Sequence, residues 1–263
     1  MTSPLLTIAG SDSSGFAGVQ ADLAVFFAHA WPACTVITGV TAQGPGGVRD
    51  WEAVSPDLVR AQLAAVLDAG APAAAKTGML ATPETVRAVV AELRARDPFP
   101  VVCDPVAVSS SGQPLLGDGA WEAIREELLP RTALVTPNAA EARGLSGMEV
   151  RTVEDAEKAG ARILEYGAPA VLVTGGHFAE GRGTDVLVTA KGARHYLGED
   201  LDAGDVRGTG CALSAAITVG LARGAPLEIA VWEGKHFIGE WIRKGGARGI
   251  VAAGPGASQR GSS

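Results

Sequence analysis

The chain has 263 residues, a formal net charge of −7 and 47% hydrophobic residues. The acidic balance argues against a nucleic-acid backbone as partner, since such binders present a basic face, and no apolar run of about 18 residues predicts a membrane span. The length suits a single α/β domain over residues 1–263 with a mobile tail from about residue 251, and an N-terminus without a basic segment and long apolar stretch predicts a cytoplasmic location.

Leu5 to Ala9 predicts a first strand, Gly10 to Gly15 a Ser/Asp/Gly loop, and the spacing of Val19, Leu23, Phe26 and Phe27 a helix over 17–29. Open α/β sheets hold ligands at such a loop, which makes Asp12 a candidate; a helix cap by Ser13 or Ser14 explains the serines equally well. Cys34 to Val40 and Val48 to Val54 predict a strand–turn–strand flap, in which Gln43 offers an amide that donates and accepts against a heteroaromatic ring. A helix over 56–69 and a buried strand over 73–78 follow, then a helix opened by Thr82-Pro83-Glu84.

The strand over 100–104 ends in Asp104, either a metal or phosphate-site candidate or a loop-capping Asp, and a helix is expected over 118–129. After the strand at 133–135, Asn138, the only Asn in the chain, stands three residues before Glu141, the spacing of a capping box. A helix over 152–166, a strand over 170–174, a tight turn at Gly175-Gly176-His177 and strands over 184–188 and 194–197 come next. The last helix, over 226–243, carries Trp232, Phe237, Ile238 and Trp241, which read as core. This alternation predicts a mostly parallel sheet with helices on both faces.

Before that helix, Gly208-Thr209-Gly210-Cys211 runs into the apolar stretch Ala212-Leu213-Ser214-Ala215-Ala216. The first amides of a helix have no partner within it and its dipole makes the spot positive, so the turn predicts an anion hole with Cys211 placed where a thiolate is favoured. Cys34, Cys103 and Cys211 show neither C-x-x-C pairing nor metal spacing, so reduced thiols are expected. Neither G-x-x-x-x-G-K-[ST] nor a G-x-G-x-x-G after the first strand is present.

A series of stretches in register resembles the hydroxymethylpyrimidine/phosphomethylpyrimidine kinases of the ribokinase-like superfamily. They are Ala9 to Gly15 with Ala17 to Leu23, Thr41-Ala42-Gln43, Lys76 to Leu80, Asp104-Pro105-Val106, Thr136-Pro137-Asn138 with Glu141, Gly175-Gly176-His177, and Gly208 to Cys211. The resemblance implies a ribokinase-like three-layer α/β fold with a small flap hairpin, and an ATP- and Mg2+-dependent kinase of thiamin biosynthesis. Its substrates would be 4-amino-5-hydroxymethyl-2-methylpyrimidine and then the monophosphate. It further implies a pyrimidine near Gly10, Asp12, Ala17, Gln43, Met79 and Val106, ATP across Asn138, Thr174 and Gly176, magnesium near Asp104 and Glu141, and a homodimer. Gly208, Thr209 and Gly210 would stabilise the transferring phosphoryl group.

Cys211 stands where sugar kinases of the superfamily have an Asp base, and is read as the base, with a packed thiol as the alternative. Ser110 and Thr174 replace lysines usual in the family, Arg207 stands where His is frequent, and Phe16 replaces a Gly. Arg207 is expected to supply part of the missing positive charge, and Phe16 to narrow the substrate loop. A pyridoxal/pyridoxine kinase and a non-catalytic pyrimidine-binding protein remain the alternative readings.

Overall fold

The computed structural model describes residues 2–44, 46–109, 112–176, 178, 180–198 and 207–244. Its strands are β1 (Leu5–Asp12), β2 (Ala33–Gly44), β3 (Gly47–Ala53), β4 (Ala74–Thr77), β5 (Val101–Cys103), β6 (Leu134–Val135), β7 (Ala170–Val173), β8 (Asp185–Thr189) and β9 (Gly192–Tyr196). They form one sheet in the order β3-β2-β1-β4-β5-β6-β7-β8-β9. The run from β2 to β7 is parallel, and β3, β8 and β9 add antiparallel margins. The expected flap is the β2–β3 hairpin.

Helices α1 (Gly18–Ala28), α7 (Thr209–Ala222) and α8 (Leu227–Arg243) cover one face of the sheet. The other is covered by α2 (Pro56–Leu67), α3 (Pro83–Arg94), α4 (Ala120–Ala123), α5 (Ala139–Ser146) and α6 (Val153–Leu164). Alternation along each strand assigns the side chains. In β1, Leu6 and Ile8 enter the core beneath α2 to α6, whereas Leu5 and Thr7 face α1. In β4, Ala75 joins the first set, whereas Ala74 and Lys76 join the second. A lysine is thereby committed to the sheet's interior.

Ser55, Thr82 and Thr152 cap α2, α3 and α6 with their hydroxyls, each worth about 1 kcal/mol. Helix α7 is buried from Ala212 to Gly220, as its apolar composition on every side requires. No helix among the described residues is long and apolar enough to cross a membrane.

Two local expectations are corrected. The helix predicted over 118–129 is α-helical only in α4, after which a π turn (Ile124–Leu128) and a 3-10 turn (Leu129–Arg131) follow. Left-handed Gly119 delays its start, and Pro130, without an N–H, closes its end. In α8, Trp241 is fully buried but Trp232 is 59% exposed. Nine residues are two and a half turns at about 3.6 residues per turn, so the two indoles lie on opposite sides of the helix.

Candidate active site

Because β1, β4, β5 and β6 are parallel, their carboxyl ends open onto one edge of the sheet, the edge at which such sheets bind ligands. Helix α7 begins there at Gly208, whose φ of +74° is left-handed. A Cβ at this position would lie 1.9 Å from the Phe16 carbonyl oxygen. Glycine is therefore required both for the turn and for the close passage of the Phe16 loop. No side chain caps the helix, so the first-turn amides of Thr209, Gly210 and Cys211 are available to an anion.

Cys211 is half-buried on that first turn, and its sulfur accepts the Gly18 N–H. Burial pushes its thiol well up, and the nearby Lys76 ammonium pulls it down without compensating. The expected low-pKa thiolate is thus corrected to a neutral thiol, because desolvation of the sulfur outweighs the helix N-terminus.

Beside it lies a charged cluster of Lys76, Asp22 and Asp104, of which only Asp104 was expected in the site. Lys76 Nζ is 3.0 Å from Asp22 Oδ1 and 3.1 Å from Asp22 Oδ2, and 3.4 Å from Asp104 Oδ2. Both Lys76 and Asp22 are fully buried. Burial pulls the ammonium down, but the carboxylates of Asp22 and Asp104 reverse the direction and keep it charged. Thr7 Oγ1 donates to Asp22 Oδ2 at 2.6 Å, and Ser214 Oγ of α7 donates to Asp104 Oδ2 at 3.1 Å. The available sequence signal was a lysine inside the apolar run Ala73-Ala74-Ala75-Lys76.

Asn138 and Glu141 form the capping box their spacing predicted. The Glu141 N–H donates to Asn138 Oδ1 at 3.0 Å, and the Asn138 N–H donates to Glu141 Oε2 at 2.9 Å. The Glu141 carboxylate also accepts the Ala107 N–H, yet burial and then the charge of Asp104 push it up to about 8. Asp104 and Glu141 are both buried. Two hard oxygen donors whose charges oppose one another suit a magnesium ion, which takes one or two carboxylates and completes its shell with phosphates and water. No group of three or more His, Cys, Asp or Glu among the described residues offers a fuller protein cage.

The nucleotide candidates also meet: Asn138 and Thr174 pair as a parallel bridge, and Gly176 follows in the open. The turn is braced from behind, since the Gly175 N–H donates to Asp185 Oδ1 at 2.9 Å while Lys235 Nζ bonds Asp185 Oδ2 at 2.7 Å. The Lys235 brace was not anticipated, because Asp185 and Lys235 are 50 residues apart in sequence.

Towards the flap, Gly10 and Gly39 make room for the Met79 thioether. Met79 belongs to an apolar cluster against which Val106 and Trp51 of β3 pack. Gln43 is fixed through its backbone, which donates to and accepts from the Ser13 hydroxyl at 2.8 and 2.7 Å. Arg207 reaches across to the flap, where Nη1 donates to the Gly44 carbonyl at 2.9 Å.

Asp12, expected near the substrate, organises its own loop. Its carboxylate accepts the N–H groups of Ser14, Phe16 and Ala17 and the Ser14 hydroxyl, so its lone pairs are spent internally. Ala17, not Ser13 or Ser14, is the N-cap of α1. Phe16 is partly buried and packs on the cluster formed with α1 and α7. Ser110, His177 and the tail from about residue 251 lie outside the described residues.

A family model described as phosphomethylpyrimidine kinase matches residues 12–255. The hydroxymethylpyrimidine/phosphomethylpyrimidine kinase of Streptomyces coelicolor is 41% identical over 240 residues, covering 90% of this chain and 88% of that protein. A phosphomethylpyrimidine kinase structure from Clostridium difficile superposes with a TM-score of 0.80 at 38% identity, over 91% of this chain and 99% of that one. An ADP complex of Bacillus subtilis pyridoxal kinase gives a TM-score of 0.83 at 36% identity, over 90% of each chain.

Proposed function

The chain belongs to the phosphomethylpyrimidine kinase family and is a phosphotransferase, and from that premise we propose that it transfers the γ-phosphoryl group of ATP to 4-amino-5-hydroxymethyl-2-methylpyrimidine and then to its monophosphate. The observation that carries this reading is the uncapped, glycine-initiated start of α7 at the same sheet edge as Asp104, Asn138 and Met79. A flat heterocycle fits between Met79 and the flap, with the Gln43 amide beside its ring nitrogen and amino group and with Gly10, Ala17 and Val106 around it. ATP lies along Asn138, Thr174 and Gly176. Asp104 and Glu141 would hold a magnesium ion, which would supply neutralisation of phosphate charge.

The amides of Thr209, Gly210 and Cys211 stabilise the charge that spreads over the equatorial oxygens in transit. In a loose phosphoryl transfer the attacking hydroxyl needs little activation before the transition state. The Cys211 thiol accordingly orients the hydroxymethyl oxygen and is not required as a thiolate. Arg207 adds positive charge at the mouth of the turn while it holds the flap.

The similarity to a pyridoxal kinase gives a second reading for the same pocket. ADP release measured in parallel with hydroxymethylpyrimidine, its monophosphate and pyridoxal separates them. Turnover of both pyrimidines ahead of pyridoxal supports the first reading; preference for pyridoxal overturns it.

A further inference from the structure

The charged cluster at Lys76 is not explained by folding stability. Moving an ammonium and carboxylates out of water costs several kcal/mol per ion, and apolar residues of similar volume commonly serve a core as well or better. The surroundings of Lys76 and Asp22 are apolar: Leu5, Val25, Ala74, Ala212 and Ala215 pack on the same side of the sheet. Within that core the ions are arranged in sequence across three elements. Asp22 of α1 takes Lys76 of β4 with both oxygens, and Thr7 of β1 fixes Asp22. Lys76 then reaches Asp104 at the end of β5, 3.4 Å away.

Asp104 is met from a second side by Ser214, whose single hydroxyl proton is shared between Asp104 Oδ2 at 3.1 Å and the Gly210 and Cys211 carbonyls at 3.0 Å in the first turns of α7. Both contacts with Asp104 fall on Oδ2; Oδ1 takes neither. One oxygen of the carboxylate is thus tied through Lys76 and Ser214 to α1, β4 and the helix of the anion turn.

We propose that Lys76, anchored by Asp22, is a positioning residue for phosphoryl transfer: together with Ser214 it fixes the rotamer of Asp104 relative to the α7 anion turn. Metal-binding carboxylate and phosphoryl-binding amides then hold one geometry before ATP arrives. The proposal rests on the assignment of Asp104 to magnesium made above. It departs from that assignment in giving a role to residues that touch neither nucleotide nor heterocycle.

The test is calorimetric titration of Mg2+ into ADP-saturated protein, with steady-state kinetics alongside, for Lys76→Met and for the charge-balanced pair Lys76→Met/Asp22→Asn. Loss of a partner that orients a metal ligand costs about 10- to 100-fold in affinity or activity. That loss is expected in Mg2+ uptake and in kcat for both variants, while the heterocycle KM stays within about twofold because its pocket is not touched. A pair that only links α1 to β4 moves neither quantity once the protein is folded. Parental Mg2+ affinity and kcat in either folded variant overturns the proposal.

Should neither variant fold, Ser214→Ala decides. It removes the second grip on Asp104 without breaking the ion pair; a several-fold weaker Mg2+ uptake supports the proposal and unchanged uptake overturns it. A parental protein that binds Mg2+ and ADP but leaves hydroxymethylpyrimidine unphosphorylated defeats the substrate reading alone.

Discussion

Ser13 and Gln43 hold one another by a single hydroxyl: Ser13 Oγ donates to the Gln43 carbonyl at 2.7 Å and accepts its N–H at 2.8 Å. The loop after β1 and the end of β2 are thereby zipped together beside the pocket proposed for the heterocycle. Each bond contributes about 0.5–1.5 kcal/mol net. Ser13→Ala is expected to raise the heterocycle KM by roughly 5- to 20-fold with kcat little changed, since the bonds order the flap and not the phosphoryl group. An equal fall in kcat with KM constant contradicts this placement.

Arg207 joins the same flap to the anion turn, bonding the Gly44 carbonyl one residue before the start of α7 is reached at Gly208. Arg207 directly precedes the uncapped Gly208, and with the charge role proposed for it Arg207→Ala is expected to raise the ATP KM and lower kcat, each by about tenfold. Lysine restores charge but not the forked geometry, so Arg207→Lys is expected to recover the ATP KM only in part. Unchanged ATP KM and kcat in Arg207→Ala remove the electrostatic role.

How much of this was legible beforehand depended on range. The capping box of Asn138 and Glu141 was readable because its two members are three residues apart and the rule is local. The parallel sheet followed from the regular alternation of apolar runs and amphipathic stretches. The Lys76 cluster was not readable: Lys76 and Asp22 are 54 residues apart, Ser214 and Asp104 are 110 apart, and only the sheet brings them together. The loop-organising bonds of Asp12 were hidden for a related reason. A carboxylate in a Ser/Gly loop has the composition of a ligand site, and only the folded loop reveals four donors already turned towards it. With Cys211 the helix N-terminus was visible in sequence, whereas the desolvation that overrides it was not.

Glu141 gives the protein a pH-dependent stability. Its carboxyl holds a proton to about 8 in the folded chain, against an ordinary 4.5. Between those values the folded state binds the extra proton, so the contribution of this side chain is fully present below 4.5 and is lost as pH rises through about 8. Gln at the same place keeps the capping geometry without the ionisation. In the absence of metal, Glu141→Gln is expected to gain in Tm relative to the parental protein as pH rises across that window, by about 2–4 °C for each kcal/mol recovered. A Tm difference that stays flat across the window counts against the raised carboxyl.

Cys211 decides between an acid–base mechanism and one of positioning. A general base must be unprotonated at working pH, and burial keeps this sulfur as a thiol despite the Lys76 charge beside it. If the thiol orients the hydroxymethyl group, replacing it lowers the rate without altering how the rate responds to pH. Cys211→Ser and Cys211→Ala are therefore expected to lower kcat by a constant factor, about 10- to 100-fold for Ala, as lost positioning contacts do. The kcat–pH profile should keep the parental shape. Iodoacetamide should label Cys211 of the free protein slowly at neutral pH, with a rate that climbs only in strongly alkaline solution. The decisive contrary result is a limb of the parental profile that disappears in Cys211→Ala, because only a group that titrates during turnover leaves such a limb.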